Sequence, residues 1–67
     1  MDWSDVEQIA IALYEARPDL DPLTVRFTDL RQWVLALEGF EGDSRQCGEG
    51  KLEAIQMAWR QEWLETI

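Results

Sequence analysis

Nearly every side chain able to do chemistry in this 67-residue chain is a carboxylate: 14 Asp and Glu stand beside one cysteine, Cys47, and no histidine. Without histidine, no side chain has an ordinary pKa near neutrality that would suit a general acid or base. A lone thiol needs such a base, or a cationic setting, to become a nucleophile. Arg45 and Lys51 lie near Cys47 in sequence and would lower its pKa, but Glu49 is equally near and opposes them. The chain is therefore expected not to be an enzyme. A single cysteine also supplies neither an internal disulfide nor a metal site.

Carboxylates are hard oxygen ligands, and Asp19 and Asp21 form an Asp-x-Asp pair. A calcium loop of the EF-hand type would continue with an oxygen ligand at Leu23, a glycine at Thr24 and a glutamate at Leu30, and this chain has none of them. What remains is a candidate for weak cation binding at Asp19 and Asp21, open to Ca²⁺, Mn²⁺ or Fe²⁺ and lacking the geometry that gives selectivity. No tightly bound cofactor is expected. The glycines of EGFEGD and CGEG do not form a phosphate-binding loop, because no Gly-Lys-Ser/Thr follows and acids surround both.

With 14 acids against 6 bases the formal charge is -8. Nucleic acids and anionic membranes attract proteins through lysine and arginine, so this field repels both. It favours basic protein surfaces and metal cations. The plainer alternative is that the charge serves solubility alone. The opening MDWSDVEQ lacks the basic and apolar regions of a signal peptide, and no apolar run approaches the roughly 20 residues of a membrane span. A reducing cytoplasm is the expected location.

These residues must be positioned by a small scaffold. A chain of this length buries roughly 60% of its unfolded surface, too little for a deep enclosed pocket. Ser4 and Glu7 have capping-box spacing, so a first helix is expected just after Ser4, with Val6, Ile9, Ala10, Leu13 and Tyr14 on one stripe and Ile11 off it. It runs to about Ala16, where Pro18 ends it. Asp21-Pro22 predicts a brief helical turn through Thr24, and Val25, Arg26 and Phe27 a short extended piece. Thr28 is the expected cap of a second helix, with Asp29 at its positive end, an apolar face of Leu30, Trp33, Val34 and Leu37, a last turn reaching Glu38 and a left-handed Gly39. The stretch Pro18 to Glu41 reads as the hub of the fold.

Residues 41–50 read as a flexible loop, with Gly42, Gly48 and Gly50 among mixed charges. From about Glu49 a third helix places Leu52, Ile55, Trp59 and Trp63 on one face and Met57 and Leu64 on another. Trp33 and Trp59 are expected in the core. Trp3 and Trp63, nearer the ends, are expected to be half exposed and able to meet an arginine of a partner. The fold class is mainly α: one compact three-helix domain over residues 1–67, with at most one short strand-like segment, in an order compatible with a small helix-turn-helix or winged-helix relative.

Taken together, DVEQIAIALYEARPDLDP, VRFTDLRQWVLALEGFEGD and LEAIQMAW resemble the IscX family, small acidic accessory proteins of bacterial iron-sulfur cluster assembly. The resemblance runs from Trp3 to about Trp59 and is carried most specifically by Pro18-Asp19-x-Asp21-Pro22, Val25-Arg26-Phe27-Thr28-Asp29 and Trp33. It implies a winged-helix-like domain that binds the pathway's cysteine desulfurase on a basic surface also used by frataxin and modulates sulfur delivery. It also implies weak ferrous-iron binding by surface carboxylates. There are departures. The family has a denser aspartate run after Phe40, often with a proline, where this chain has Gly42 and Ser44 interrupting Glu41 and Asp43. Cys47 stands where a capping serine is common, and Gln61 to Ile67 extends beyond the matched stretch.

Two functions follow as expectations. In the first, an acidic face drawn from Asp19, Asp21, Asp29, Glu38, Glu41 and Asp43 docks on the lysines and arginines of the desulfurase. In the second, the same carboxylates make the protein a ferrous-iron sensor or donor. A DNA-binding winged helix is opposed by the charge, since the exposed side of the second helix offers only Arg31 among acids.

Overall fold

Among the residues described by the computed structural model, 1–43, 45 and 48–66, three α-helices and one 3₁₀ turn follow in the order α1 (Val6–Ala16), Pro22–Thr24, α2 (Phe27–Leu35) and α3 (Glu49–Thr66). The expectations for Cys47 and Ser44 fall outside these residues. No helix among the described residues is long and apolar enough to cross a membrane.

Helix α3 is the spine. At 1.5 Å per residue its 18 residues span roughly 27 Å of a molecule 33 Å long. Its most extensive packing is against α1, with smaller contacts to the 3₁₀ turn and α2. The hub is thus α3 rather than the Pro18 to Glu41 stretch, because the longest helix offers the others the most apolar surface. The core contains Trp3, Ile9, Ala10, Leu13, Val25, Leu30, Val34, Leu52, Ile55 and Trp59, and no polar or charged residue is buried with them among the described residues. These are the stripe positions of the three helices joined by Trp3 and Val25. Ile11 is exposed, as its place off the stripe predicts, and Met57 and Leu64 on the other side of α3 are exposed as well.

Trp59 shows which force dominates. It is fully buried, yet its indole N–H finds no acceptor among the described residues. Burying an aromatic of that size contributes roughly 4–6 kcal/mol. An unmet donor costs about 1–3 kcal/mol. The burial wins. An edge-to-face contact with Trp33, ring centroids 6.4 Å apart, ties α2 to α3. Trp33 itself is half-buried, with the Arg17 guanidinium 3.9 Å above its ring, so the end of α1 covers it. Gln56 fastens the 3₁₀ turn by donating to the carbonyls of Pro22 at 2.9 Å and Val25 at 3.4 Å.

The helix ends correct several expectations. The capping box of Ser4 and Glu7 does not form. Asp2 instead accepts from both the hydroxyl and the backbone N–H of Ser4, and Asp5 becomes the N-cap of α1. Thr28 does not cap α2. Its cap lies two residues earlier, at Arg26, which makes no side-chain cap bond, and the helix opens at Phe27. Val25 and Arg26 are extended, but Phe27 is already helical, and no β-strand is present among the described residues. Helix α2 stops at Leu35 rather than Glu38, because the Leu37 N–H turns back to the Val34 carbonyl. Gly39 does take positive φ, +81°, but in the following turn, which the Phe40 N–H closes onto the Leu37 carbonyl. Helix α1 ending at Ala16 and the Asp21-capped turn Pro22–Thr24 agree with their sequence signals.

Ile55→Ala is expected to lower the unfolding free energy by about 2–5 kcal/mol, since Ile55 is fully buried on the spine. Met57→Ala, two residues away on the exposed side, should stay within about 0.5 kcal/mol. Urea denaturation followed by circular dichroism compares them; equal losses would contradict this placement of the core.

Candidate functional site

The acids singled out by the sequence occupy the connections around α2. Asp19 and Asp21 lie in the turn after α1, Asp29 in the first turn of α2, Glu38 in the turn after α2, and Glu41 and Asp43 in the segment that follows. Five are exposed and Asp21 is half-buried. This distribution has a local cause. Connections must keep their backbone polar groups hydrated, and aspartate is at home there because it bonds neighbouring backbone N–H groups. Asp21 does this, accepting from the Leu23 N–H at 3.0 Å as the cap of the 3₁₀ turn. Asp29 stands near the positive end of the α2 dipole.

Two of the candidates are engaged within the protein and the rest are not. Asp43 accepts from the Arg45 side chain at 2.9 Å and from the Arg45 backbone N–H at 2.9 Å. The Arg45 guanidinium, then its N–H, hold the Asp43 carboxyl below its ordinary value. Asp2, outside the candidate set, is likewise lowered by the Ser4 hydroxyl and N–H. By contrast, Asp19, Asp29, Glu38 and Glu41 have no hydrogen bond or ion pair from their side chains among the described residues. Of the bases, Arg17 lies on Trp33 and Arg45 on Asp43.

No group of three or more Asp, Glu or Cys side chains converges as a metal centre among the described residues. Among the described residues Asp19 and Asp21 therefore gain no third carboxylate ligand, and Asp21 already caps its turn. Two shallow open depressions lie among the described residues, of about 340 Å³ along residues 4–8 and about 290 Å³ between Glu7 on α1 and Ala58, Gln61, Glu62 and Glu65 on α3.

Part of the stretch read as a loop is tied to the rest of the protein. The residues from Phe40 to Asp43 lie against the start of the chain. The Glu41 N–H donates to the Met1 carbonyl at 2.7 Å, the Trp3 indole N–H donates to the Asp43 carbonyl at 2.7 Å, and Trp3 meets Phe40 edge to face with centroids 4.9 Å apart. Trp3 is only 4% exposed, so it is a core residue and not a half-exposed contact residue. No helical period links positions so far apart in the chain, which is why spacing alone does not reveal the contact. Trp63 is half-buried, as expected.

The family model described as iron-sulphur cluster assembly matches residues 1–64. A Pseudomonas aeruginosa protein described only as uncharacterized is 52% identical over 60 residues, which cover 90% of this chain and 91% of that one. The family match takes in Trp63 and Leu64, so these are not beyond the matched region as the sequence comparison with the family implies.

Replacing Arg45 by alanine removes the main cause of the depressed Asp43 pKa, so that carboxyl should titrate closer to the ordinary 3.8. Carbon-13 NMR of the carboxyl across the acid range reads the change; an unmoved Asp43 would show that Arg45 does not hold it. A depressed folded-state pKa contributes stability above the unfolded value and loses it as pH falls through the folded one. The pair's contribution to folding is therefore present at neutral pH and lost in acid.

Proposed function

Because the chain belongs to the IscX family of iron-sulphur cluster assembly proteins, we propose that it acts there as an acidic adaptor, docking on a basic surface of the cysteine desulfurase and modulating sulfur delivery without catalysing a step itself. The observation that carries this reading is the set of solvent-facing carboxylates at Asp19, Asp29, Glu38 and Glu41, none of which forms an ion pair among the described residues. Asp21 and Asp43 add charge while also shaping the turns that carry them.

The physical role of such a face is encounter and register. Complementary charge raises the association rate and penalises wrong orientations. With a Debye length of about 8 Å at physiological ionic strength, that advantage fades as salt is added. A basic surface that accepts this face would accept another acidic protein, so competition with frataxin for the desulfurase belongs to the proposal, as does a cytoplasmic setting. Nothing in the arrangement favours a dedicated iron centre over this docking role, because the described acids do not converge.

The test combines Asp21→Asn, Asp29→Asn and Glu38→Gln. Asparagine at position 21 keeps an oxygen acceptor for the Leu23 N–H, so the turn should survive. Exposed ion pairs each contribute about 0.2–1 kcal/mol, and losing three should weaken desulfurase binding on the order of ten-fold. Calorimetric titration at low and high salt measures it. A folded triple variant that binds like the parent, or parental binding indifferent to salt, would overturn the proposal.

A further inference from the structure

We propose that the N-terminal strap Met1–Trp3 presents the acidic segment Glu41–Asp43 for docking, with Trp3 as its positioning residue; this rests on the adaptor reading above. The strap touches the segment at successive points. The Met1 N–H donates to the Gly39 carbonyl at 3.4 Å, and the Glu41 N–H returns to the Met1 carbonyl at 2.7 Å. Together they follow the two-bond pattern of adjacent parallel strands. Two residues on, the buried Trp3 indole donates to the Asp43 carbonyl at 2.7 Å. The bonds therefore bracket the segment at both ends, through its backbone, leaving the Glu41 side chain exposed and the Asp43 carboxylate on Arg45 at the surface.

Gly42 is where the fit is tightest. A Cβ there would lie 2.7 Å from Trp3 Cδ1 and 2.6 Å from Phe40 Cζ, closer than real contacts allow. The glycine that composition reads as a loop breaker is instead what lets the backbone lie flat on two aromatic rings. Holding the segment before the partner arrives means that its ordering does not have to occur on binding. Trp3 thus governs docking without touching the partner.

Two substitutions test this while sparing every carboxylate. Trp3→Phe keeps a ring against Phe40 but removes the N–H, and Gly42→Ala forces the strap and segment apart without altering Trp3. In each, hydrogen exchange at the Glu41 amide should quicken, helical circular dichroism should persist, and desulfurase affinity should fall about ten-fold. In a Glu41→Gln, Asp43→Asn background the same substitutions should cost little, because they act through those two acids. If Gly42→Ala quickens exchange with affinity unchanged, or costs as much in the amide background as in the parent, positioning is refuted. The adaptor reading has its own failure mode. Should Glu41→Gln, Asp43→Asn prove silent while the Asp21, Asp29 and Glu38 amides weaken binding, this inference fails and the adaptor stands; should both sets be silent, the adaptor fails as well.

Discussion

The exclusion of charge from a small apolar core organises the rest of this molecule. Ten apolar side chains make up that core, and none of the described acids or bases enters it. An ionised carboxylate moved into such an interior needs a buried cation and further hydrogen bonds to compensate, and a domain of this size has no room for both. The described acids are consequently left at the surface of a chain that has 14 acids and only 6 bases. Their mutual repulsion opposes the compact state. Aromatic burial has to outweigh that repulsion, which is why Trp3, Trp33 and Trp59 sit at the junctions between segments and why even an unpaired indole N–H is tolerated at Trp59.

Much of the scaffold was legible in the residues because helices announce themselves by local period. Ile9, Ala10 and Leu13 in α1, Leu30 and Val34 in α2, and Leu52, Ile55 and Trp59 in α3 are buried where the spacing placed them. Proline signals were equally local, and Asp21-Pro22 marks its turn correctly. Caps were less legible, because neighbouring polar groups compete for the same side chains. Asp2 captures the Ser4 hydroxyl that would have capped α1, and Arg26 begins α2 with no side-chain bond at all. Least legible was the strap. Trp3, Phe40 and Gly42 come together through tertiary contact alone, and glycine in an acidic stretch carries the usual mark of a free loop. The candidate acids were readable as to type and exposure, whereas their partners were not: the engagement of Asp43 by Arg45 depends on a turn that charge counting does not see.

The same exclusion links scaffold to function. Acids turned outward along the connections flanking α2 produce a negative surface with few internal cations, and a rigid small body limits the entropy lost when that surface meets a positive one. Membership of the iron-sulphur cluster assembly family supplies the setting in which such a surface would work. The exposed side of α3, with Met57 and Leu64, is the rival contact region, since half of each side chain remains in water. The two surfaces make different physical demands: the acidic one needs low ionic strength and a cationic partner, while the apolar one would be nearly indifferent to salt.

Mapping backbone amide shifts while unlabelled cysteine desulfurase is added, first at low and then at raised salt, separates them in one experiment. The account predicts perturbations concentrated at residues 19–21, 29 and 38–43 that fade as salt rises. Perturbations centred on Met57 and Leu64 and insensitive to salt would contradict it.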